Sequence, residues 1–437
     1  MPTRTFHMTT LGCKINQYET QALREGWTGL GLTPVADPGQ AQVILVNSCA
    51  VTARAVADLR GVVRALHRQA PDARILITGC AAQIVGEELL TLPGVVRVVG
   101  HKDKAALALG PEAEAPGDRP VWPPLAIRNF ERARAVVKIQ DGCSHRCTYC
   151  VVPLSRGPSV TRPFDQVVDE ISRLFSAGFR ELVLSGVNLG HIGRDLPGGP
   201  DFWDLLGLIE SEIGPEWAGR ARLRVSSLEP GQLGAKALDT LSAARLICPH
   251  LHLSLQSGSP EVLRRMGRGH YRPGQVLDFL ADLRGIWPLF GLGADLLAGF
   301  PGETEAHCQE TLDFVAALPL TYAHVFPYSA RPGTPAATFP GQVPGPERTA
   351  RAARLRQAAE AKKRDFARKL LDQETLTMVV EDSVSGLASG VCEFYVSCHL
   401  EQDGNEPPRR SLVQVRPVKV RARGELSVVP VQTGEGT

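Results

Sequence analysis

The sequence predicts an α/β protein in three parts: a doubly wound parallel-sheet domain, a partial (β/α)6 barrel, and a small all-β domain. Three observations lead there. Strand-length apolar runs alternate with helical patterns through residues 1–101, and the alternation resumes on a larger scale over residues 131–371. From residue 374 to about 432 the pattern becomes a period-two alternation broken by turn residues.

In the first part Phe6–Leu11 reads as a strand, and Asn16 as the cap of a helix to about Gly31, with Glu19 completing a capping box. Val43–Asn47 is a continuous apolar strand, after which Thr52 caps a helix to about Gln69. Arg74–Thr78 is a third strand, Ala81–Leu90 is helical, and Val95–Val99 is a fourth strand. Such βαβ alternation builds a parallel sheet with helices on both faces. Pro111, Pro116, Pro120, Pro123 and Pro124 mark residues 102–130 as a linker.

The second part offers six strands: Ala135–Ile139, Glu181–Ser185, Leu223–Ser226, Leu251–Leu255, Gly293–Ala298 and His324–Pro327. Between the first two, Val167, Val168, Ile171, Leu174 and Phe175 share one face of a helix closed by Gly178. Six β/α units make a partial barrel, whose chemistry belongs at the carboxyl ends of its strands. Arg348–Leu371 is a helix dense in arginine and lysine; its charge suits a solvated face packed on the barrel, or an RNA surface. In the tail, Arg409, Arg410, Arg416, Lys419, Arg421 and Arg423 alternate with Val413, Val415, Val418 and Val420, as in strands with one charged face.

The chain of 437 residues has a net charge of only +2, so any nucleic-acid surface is a local patch. No run approaches the ~20 apolar residues that span a bilayer, and Met1–Thr10 has no export pattern. Ten cysteines without an export signal point to a reducing cytoplasm rather than a disulfide scaffold.

Three of them, Cys143, Cys147 and Cys150, have C-x₃-C-x₂-C spacing in the loop after the first barrel strand. That spacing supplies three thiolates to a 4Fe-4S cluster and leaves one iron open to a substrate, usually S-adenosylmethionine. Structural zinc wants four closing ligands, commonly in two C-x₂-C pairs, and no second pair follows. Tyr149, aromatic and just before the last cysteine, also fits this S-adenosylmethionine-binding cluster pattern, whose usual product is a carbon radical.

Cys13, Cys49 and Cys80 are far apart in sequence, yet each directly follows a predicted strand of the first sheet. Carboxyl ends of a parallel sheet point one way, so the three thiols can converge on one metal or cluster site. His145, Cys248, Cys308, Cys392 and Cys398 share neither spacing nor strand ends, and read as structural or incidental. Glycine in Gly186-Val187-Asn188 allows close approach to a methionyl group, and Ser254 and Gln256 offer polar side chains to a ribose. Gly299–Glu303 follows the fifth strand and could line an adenine pocket. Plain turn chemistry is the alternative for each of these.

Leu11-Gly12-Cys13-Lys14-Ile15-Asn16-Gln17-Tyr18-Glu19, with Asn47-Ser48-Cys49 and Thr78-Gly79-Cys80, resembles the radical-SAM methylthiotransferases over nearly the whole chain. The string around Cys13 looks like the branch acting on N6-threonylcarbamoyladenosine in tRNA. The resemblance implies that Cys143, Cys147 and Cys150 hold the cluster that cleaves S-adenosylmethionine. Cys13, Cys49 and Cys80 would hold an auxiliary 4Fe-4S cluster, with Tyr149, Gly186, Asn188, Ser254 and Gln256 near the cofactor. It further implies a TRAM-like RNA-binding tail, with Arg416, Lys419, Arg421 and Arg423 as candidate contacts. The partners would be a tRNA anticodon stem-loop, an external electron donor and a sulfur donor.

The implied reaction places sulfur and a methyl group on carbon 2 of adenine, so the two cysteine sites must face each other across the domain junction. Isopentenyladenosine tRNA and a ribosomal-protein side chain are the alternative targets. A zinc-bearing RNA-binding module without catalysis is the alternative from another class.

Overall fold

The computed structural model describes residues 4–114, 125–384, 387–401 and 407–431. Its first sheet is all-parallel, with Thr33–Pro34 at one edge, then Thr5–Thr10, Val43–Ser48, Arg74–Gly79 and Val95–Val99. Alternate residues of one strand serve opposite faces. Ile44 and Val46 pack with Val56, Leu59, Val63 and Leu66 of the helix Ala53–Gln69. Val43 and Leu45 share a cluster with Tyr18, Leu23 and Trp27 of the helix Lys14–Gly29. Burial on both sides explains the unbroken apolar run. Thr52 does cap the second helix, its hydroxyl accepting from the Ala55 amide at 3.1 Å.

The first helix departs from expectation. It begins at Lys14 with Cys13 in the N-cap position, and no side chain caps it. Asn16 and Glu19 are buried inside the first turns rather than paired with each other. The Asn16 amide instead donates to the Leu11 and Ser48 carbonyls, tying two strand ends together.

Six barrel strands follow, split between two parallel ribbons. Ala135–Lys138, Glu181–Ser185 and Arg222–Val225 form one. The chain then steps through Ser226 into Ser227–Leu228, which pairs with His250–Gln256, followed by Gly291–Ala298 and Tyr322–Pro327. The first and last strands are edges, as a partial barrel requires. The helix Phe164–Ser176 buries Val167, Ile171, Leu174 and Phe175, and Gly178 takes the left-handed conformation (φ +93°) just beyond it.

Much of the stretch expected as a linker is folded. His101–Leu109 forms a 3-10 helix whose Leu107 is buried, and Leu125, Ile127 and Phe130 join the core. Residues 115–124 lie outside the described residues. One apolar cluster runs from Phe6 and Trp27 through Leu125 into the barrel interior, and the Tyr18 hydroxyl donates to the Leu125 carbonyl at 2.9 Å. The first sheet is therefore locked against the barrel.

Gly345–Lys369 is a long helix that buries Arg351, Ala352, Leu355, Ala359, Phe366 and Ala367. Arg351 bonds Glu303 at 2.9 Å, so part of that basic run serves packing. The tail closes into a five-stranded barrel of Leu376–Val384, Leu387–Cys392, Ser397–Leu400, Leu426–Pro430 and Leu412–Val420. Its predicted alternation fails at one point. Val415 points inward while Val418, three residues on, is exposed, and the register slip between Pro417 and Lys419 turns Val420 back toward the core. Barrel and tail are joined by Arg222 and Arg224, which share the Glu181 carboxylate and reach the carbonyls of Thr377, Val391, Cys392 and Glu393.

Candidate active site

The loop bearing Cys143, Cys147 and Cys150 leaves the first barrel strand at its carboxyl end. Gly142 is left-handed (φ +67°), and a Cβ there would lie 1.9 Å from the Pro158 carbonyl, so only glycine turns the chain here. Gln140 fixes the surroundings. Its amide donates to the Asp141 and Gly142 carbonyls, while its oxygen accepts from the Val187 and Asn188 amides at 2.9 and 2.8 Å. Thr148 ties the far side of the loop to the Arg265 and Met266 carbonyls.

All three thiols line a cavity of about 290 Å³ together with Tyr149, Asn188, Ser254 and Gln256. The Asn188 amide sits 3.6 Å from the Cys143 sulfur. Gln256 is held at φ +64°, unusual for a residue with a side chain, where the strand register becomes irregular. Gly186 lines the neighbouring cavity instead, and a Cβ there would meet Leu189 at 2.8 Å and Gln140 at 2.9 Å. Leu297, Phe326, Pro327 and Tyr328 supply the apolar lining, not Gly299–Glu303. From that segment Phe300 packs edge-on behind Tyr149, and the Glu303 carboxylate accepts from the Gly299 amide.

Cys13, Cys49 and Cys80 line a second, larger cavity of about 580 Å³. Gly12 and Gly79 make the approach possible. A Cβ on Gly12 would lie 2.7 Å from that of Cys49, and one on Gly79 would strike the Ser48 carbonyl at 2.3 Å. Val51, Val152, Val187, Ser254 and Asp295 line both cavities, so the two thiol trios open on contiguous space at the domain junction.

Both trios fit an iron–sulfur cube better than a single ion. All six cysteines are free, and no fourth cysteine lines either cavity. Neither trio brings its three sulfurs within 4.8 Å of one another, whereas thiolates on one zinc ion stand about 3.8 Å apart. Burial pushes the Cys150 thiol up to about 12 and raises Cys49, and it raises Cys147 against the pull of Arg268. Thiols so placed give up their protons to a metal, not to water.

Several residues of the site escaped sequence reasoning. Arg268 donates to both oxygens of Glu229, to the Ser254 carbonyl, and toward the Cys147 sulfur at 3.7 Å. His145, read as incidental, lines the smaller cavity, stacks edge-on against His191 at 4.3 Å and neighbours Glu229 and His270. Cys248, Cys308, Cys392 and Cys398 are buried away from both cavities.

Behind the larger cavity lies a buried ionic network. Arg156 bonds Glu19 at 2.9 Å, Asp141 at 2.8 Å and Asn16 at 2.7 Å; Lys138 bonds the same two carboxylates, and Lys104 bonds Glu19 at 2.6 Å. Burial alone would raise both carboxyls, but Arg156 with the lysines holds Glu19 and Asp141 well below the usual range. The floor is formed by Tyr322, whose hydroxyl meets His250 at 3.1 Å and His252 at 2.9 Å, and by Tyr395 of the tail barrel. Lys14 also lines this cavity. The open space makes its side chain accessible, while surrounding protein desolvates it and lowers its pKa.

Partial barrel and three-cysteine loop define a radical-SAM protein, and residues 137–315 match the radical SAM superfamily. Residues 5–100 match a family described as uncharacterized protein family UPF0004. The structure of the radical S-adenosylmethionine methyltransferase TsrM from Kitasatospora setae, with cobalamin and a [4Fe-4S] cluster bound, superposes with a TM-score of 0.56. It has 17% identity and covers 77% of each chain, which shows the shared fold. The threonylcarbamoyladenosine tRNA methylthiotransferase MtaB of Thermotoga maritima is 33% identical over 90% of both chains, and that of Chlamydia pneumoniae 35% over 90% of both. The tRNA-2-methylthio-N(6)-dimethylallyladenosine synthase of Thermus thermophilus is 33% identical over 92% of this chain and 84% of its own. This chain belongs to the threonylcarbamoyladenosine tRNA methylthiotransferase family. No helix among the described residues is long and apolar enough to cross a membrane.

Proposed function

We propose that this protein converts N6-threonylcarbamoyladenosine next to a tRNA anticodon to its 2-methylthio derivative, by radical S-adenosylmethionine chemistry. The observation that carries the reading is the pair of thiol trios opening on contiguous cavities at the domain junction. A nucleobase inserted there would reach both.

Cys143, Cys147 and Cys150 would hold one 4Fe-4S cluster, and Cys13, Cys49 and Cys80 the other. When bound, the pair supplies the electron that cleaves S-adenosylmethionine and the sulfur that is inserted. The chain's own residues orient the reactants. Arg268, whose terminal nitrogens are committed to Glu229, the Ser254 carbonyl and the Cys147 sulfur, keeps an unpartnered Nε and brings positive charge to the cavity that would take the cofactor. Asn188, Ser254 and Gln256 offer hydrogen bonds to the rest of the cofactor, and Tyr149 packs beside it. Leu297 and the buried Tyr328 give the cavity an apolar wall that would limit water at the reacting carbon.

Anaerobic reconstitution followed by turnover tests the reading. Stem-loop RNA carrying threonylcarbamoyladenosine should give a 2-methylthio nucleoside on digestion. The likeness to a dimethylallyladenosine enzyme, 33% over 84% of that enzyme's length, makes RNA with that base the necessary second substrate, and modification of that RNA alone would overturn the assignment.

RNA would also meet the tail barrel, where Arg416, Lys419 and Arg423 are exposed on and after the strand Leu412–Val420, and Arg421 bonds the Ser427 hydroxyl at 3.0 Å. Reversing charge at Arg416 and Arg423 should weaken tRNA binding and flatten its salt dependence by roughly one unit of slope per lost phosphate contact. An unchanged slope in filter-binding titrations would move the surface elsewhere.

A further inference from the structure

The larger cavity carries a charge that the reaction outlined above leaves unused. Lys14 directly follows Cys13 and lines that cavity with Gln17, Asp295, Tyr322 and Tyr395. The guanidinium groups there are committed. Arg224 bonds Glu181 at 2.8 Å and the carbonyls of Cys392 and Glu393, and Arg156 bonds Glu19 and Asp141. The nearby Asp295 carboxylate is held by His252 at 3.1 Å. Among the described residues Lys14 has neither a hydrogen bond nor an ion pair.

An ammonium that lines the cavity, open to its space and without a hydrogen-bonded or ion-paired partner of its own, is free to meet an anion that enters. The two substrate classes named for this protein's relatives differ where that charge would be felt. A threonine joined through its nitrogen to a carbamoyl group keeps a free carboxylate and a hydroxyl; a dimethylallyl group is pure hydrocarbon. Seating hydrocarbon beside Lys14 would desolvate the cation without repayment, whereas a carboxylate completes it.

We propose that Lys14 binds the carboxylate of the N6-threonylcarbamoyl group and selects that base over its dimethylallyl counterpart. This rests on the tRNA reading above, and it assigns the selectivity to one side chain. Gln17, on the same cavity wall, and the hydroxyls of Ser226, Ser227 and Ser254 offer hydrogen bonds to the carbamoyl and hydroxyl groups.

Binding tests it without turnover. Dissociation constants are measured at fixed salt by fluorescence anisotropy, for full-length protein and two stem-loop RNAs differing only in the threonylcarbamoyl group. Wild type should prefer the modified RNA. Lys14→Met should lose that preference by about tenfold or more, the scale of a hydrogen bond to a charged group, with the unmodified RNA bound as before. Lys14→Arg should retain most of it. A preference surviving in Lys14→Met overturns the assignment while leaving the tRNA reading intact, and so does an equal weakening for both RNAs, which would mark general attraction to phosphates. Absence of any preference in wild type would bring down the reading beneath it as well.

Discussion

Cys147→Ala should leave a folded protein that takes up about four irons per chain in place of about eight, and that no longer cleaves S-adenosylmethionine. The side chain sits in a loop held by backbone and side-chain hydrogen bonds from Gln140 and Thr148, none of which uses the thiol, and Arg268, which reaches the sulfur at 3.7 Å, stays anchored by Glu229 and the Ser254 carbonyl. Three thiolates already leave one of the four irons without a protein ligand, and two would leave half of the cube unheld. Cys49→Ala should also lose about four irons, yet keep S-adenosylmethionine cleavage and lose only methylthiolation of tRNA. The two trios belong to different sheets, which is why their losses separate. Iron and sulfide counts, with 5′-deoxyadenosine and nucleoside digests from one preparation, check both variants. A Cys49→Ala protein that still methylthiolates RNA normally would end the auxiliary-cluster assignment; a Cys147→Ala protein with a full iron complement would end the other.

What sequence reasoning could see was local. Val43–Ser48 announces itself by an apolar run, Ala53–Gln69 by the Thr52 cap, and Phe164–Ser176 by its apolar stripe and Gly178. The cysteines were legible for a different reason: strand ends of a parallel sheet share a direction, so three distant residues can be placed together without knowing any side chain. What stayed hidden depends on contacts between segments far apart in the chain. Asn16 and Glu19 have the spacing of a capping box, but their partners Arg156 and Lys104 lie 140 and 85 residues away. Arg268 and Glu229 carry no motif, and become a pair only when two barrel strands bring their loops together. The basic tail misled at Val418, because the register slip falls after Pro417: Val418 stays on the outer face, Val420 turns back toward the core, and no periodicity count places a bulge.

Arg156→Met should destabilise the protein by about 3–5 kcal/mol, the usual cost of removing one partner from a buried ionic cluster. Arg156 comes from the barrel, whereas Asn16, Glu19 and Lys104 belong to the first helix and the 3-10 segment, so the loss falls on the seam between the two. Methionine keeps the bulk but leaves Glu19 and Asp141 buried with fewer cations. Arg156→Lys should recover only part, since one ammonium cannot replace a fork reaching Glu19, Asp141 and Asn16 together. The effect has a definite pH signature. Both carboxyls are held well below their ordinary values in the folded state, so their contribution is present above the unfolded values of about 4 and is lost as pH falls toward the folded ones. The variant forfeits much of that contribution, and its unpaired carboxyls bind protons more readily. Its deficit should therefore be greatest near neutrality and narrow on acidification below about pH 5. Urea unfolding of the metal-free protein at several pH values measures this directly. A deficit constant with pH would show that Arg156 acts through packing alone, and no deficit would show that the first sheet and the barrel are held together elsewhere.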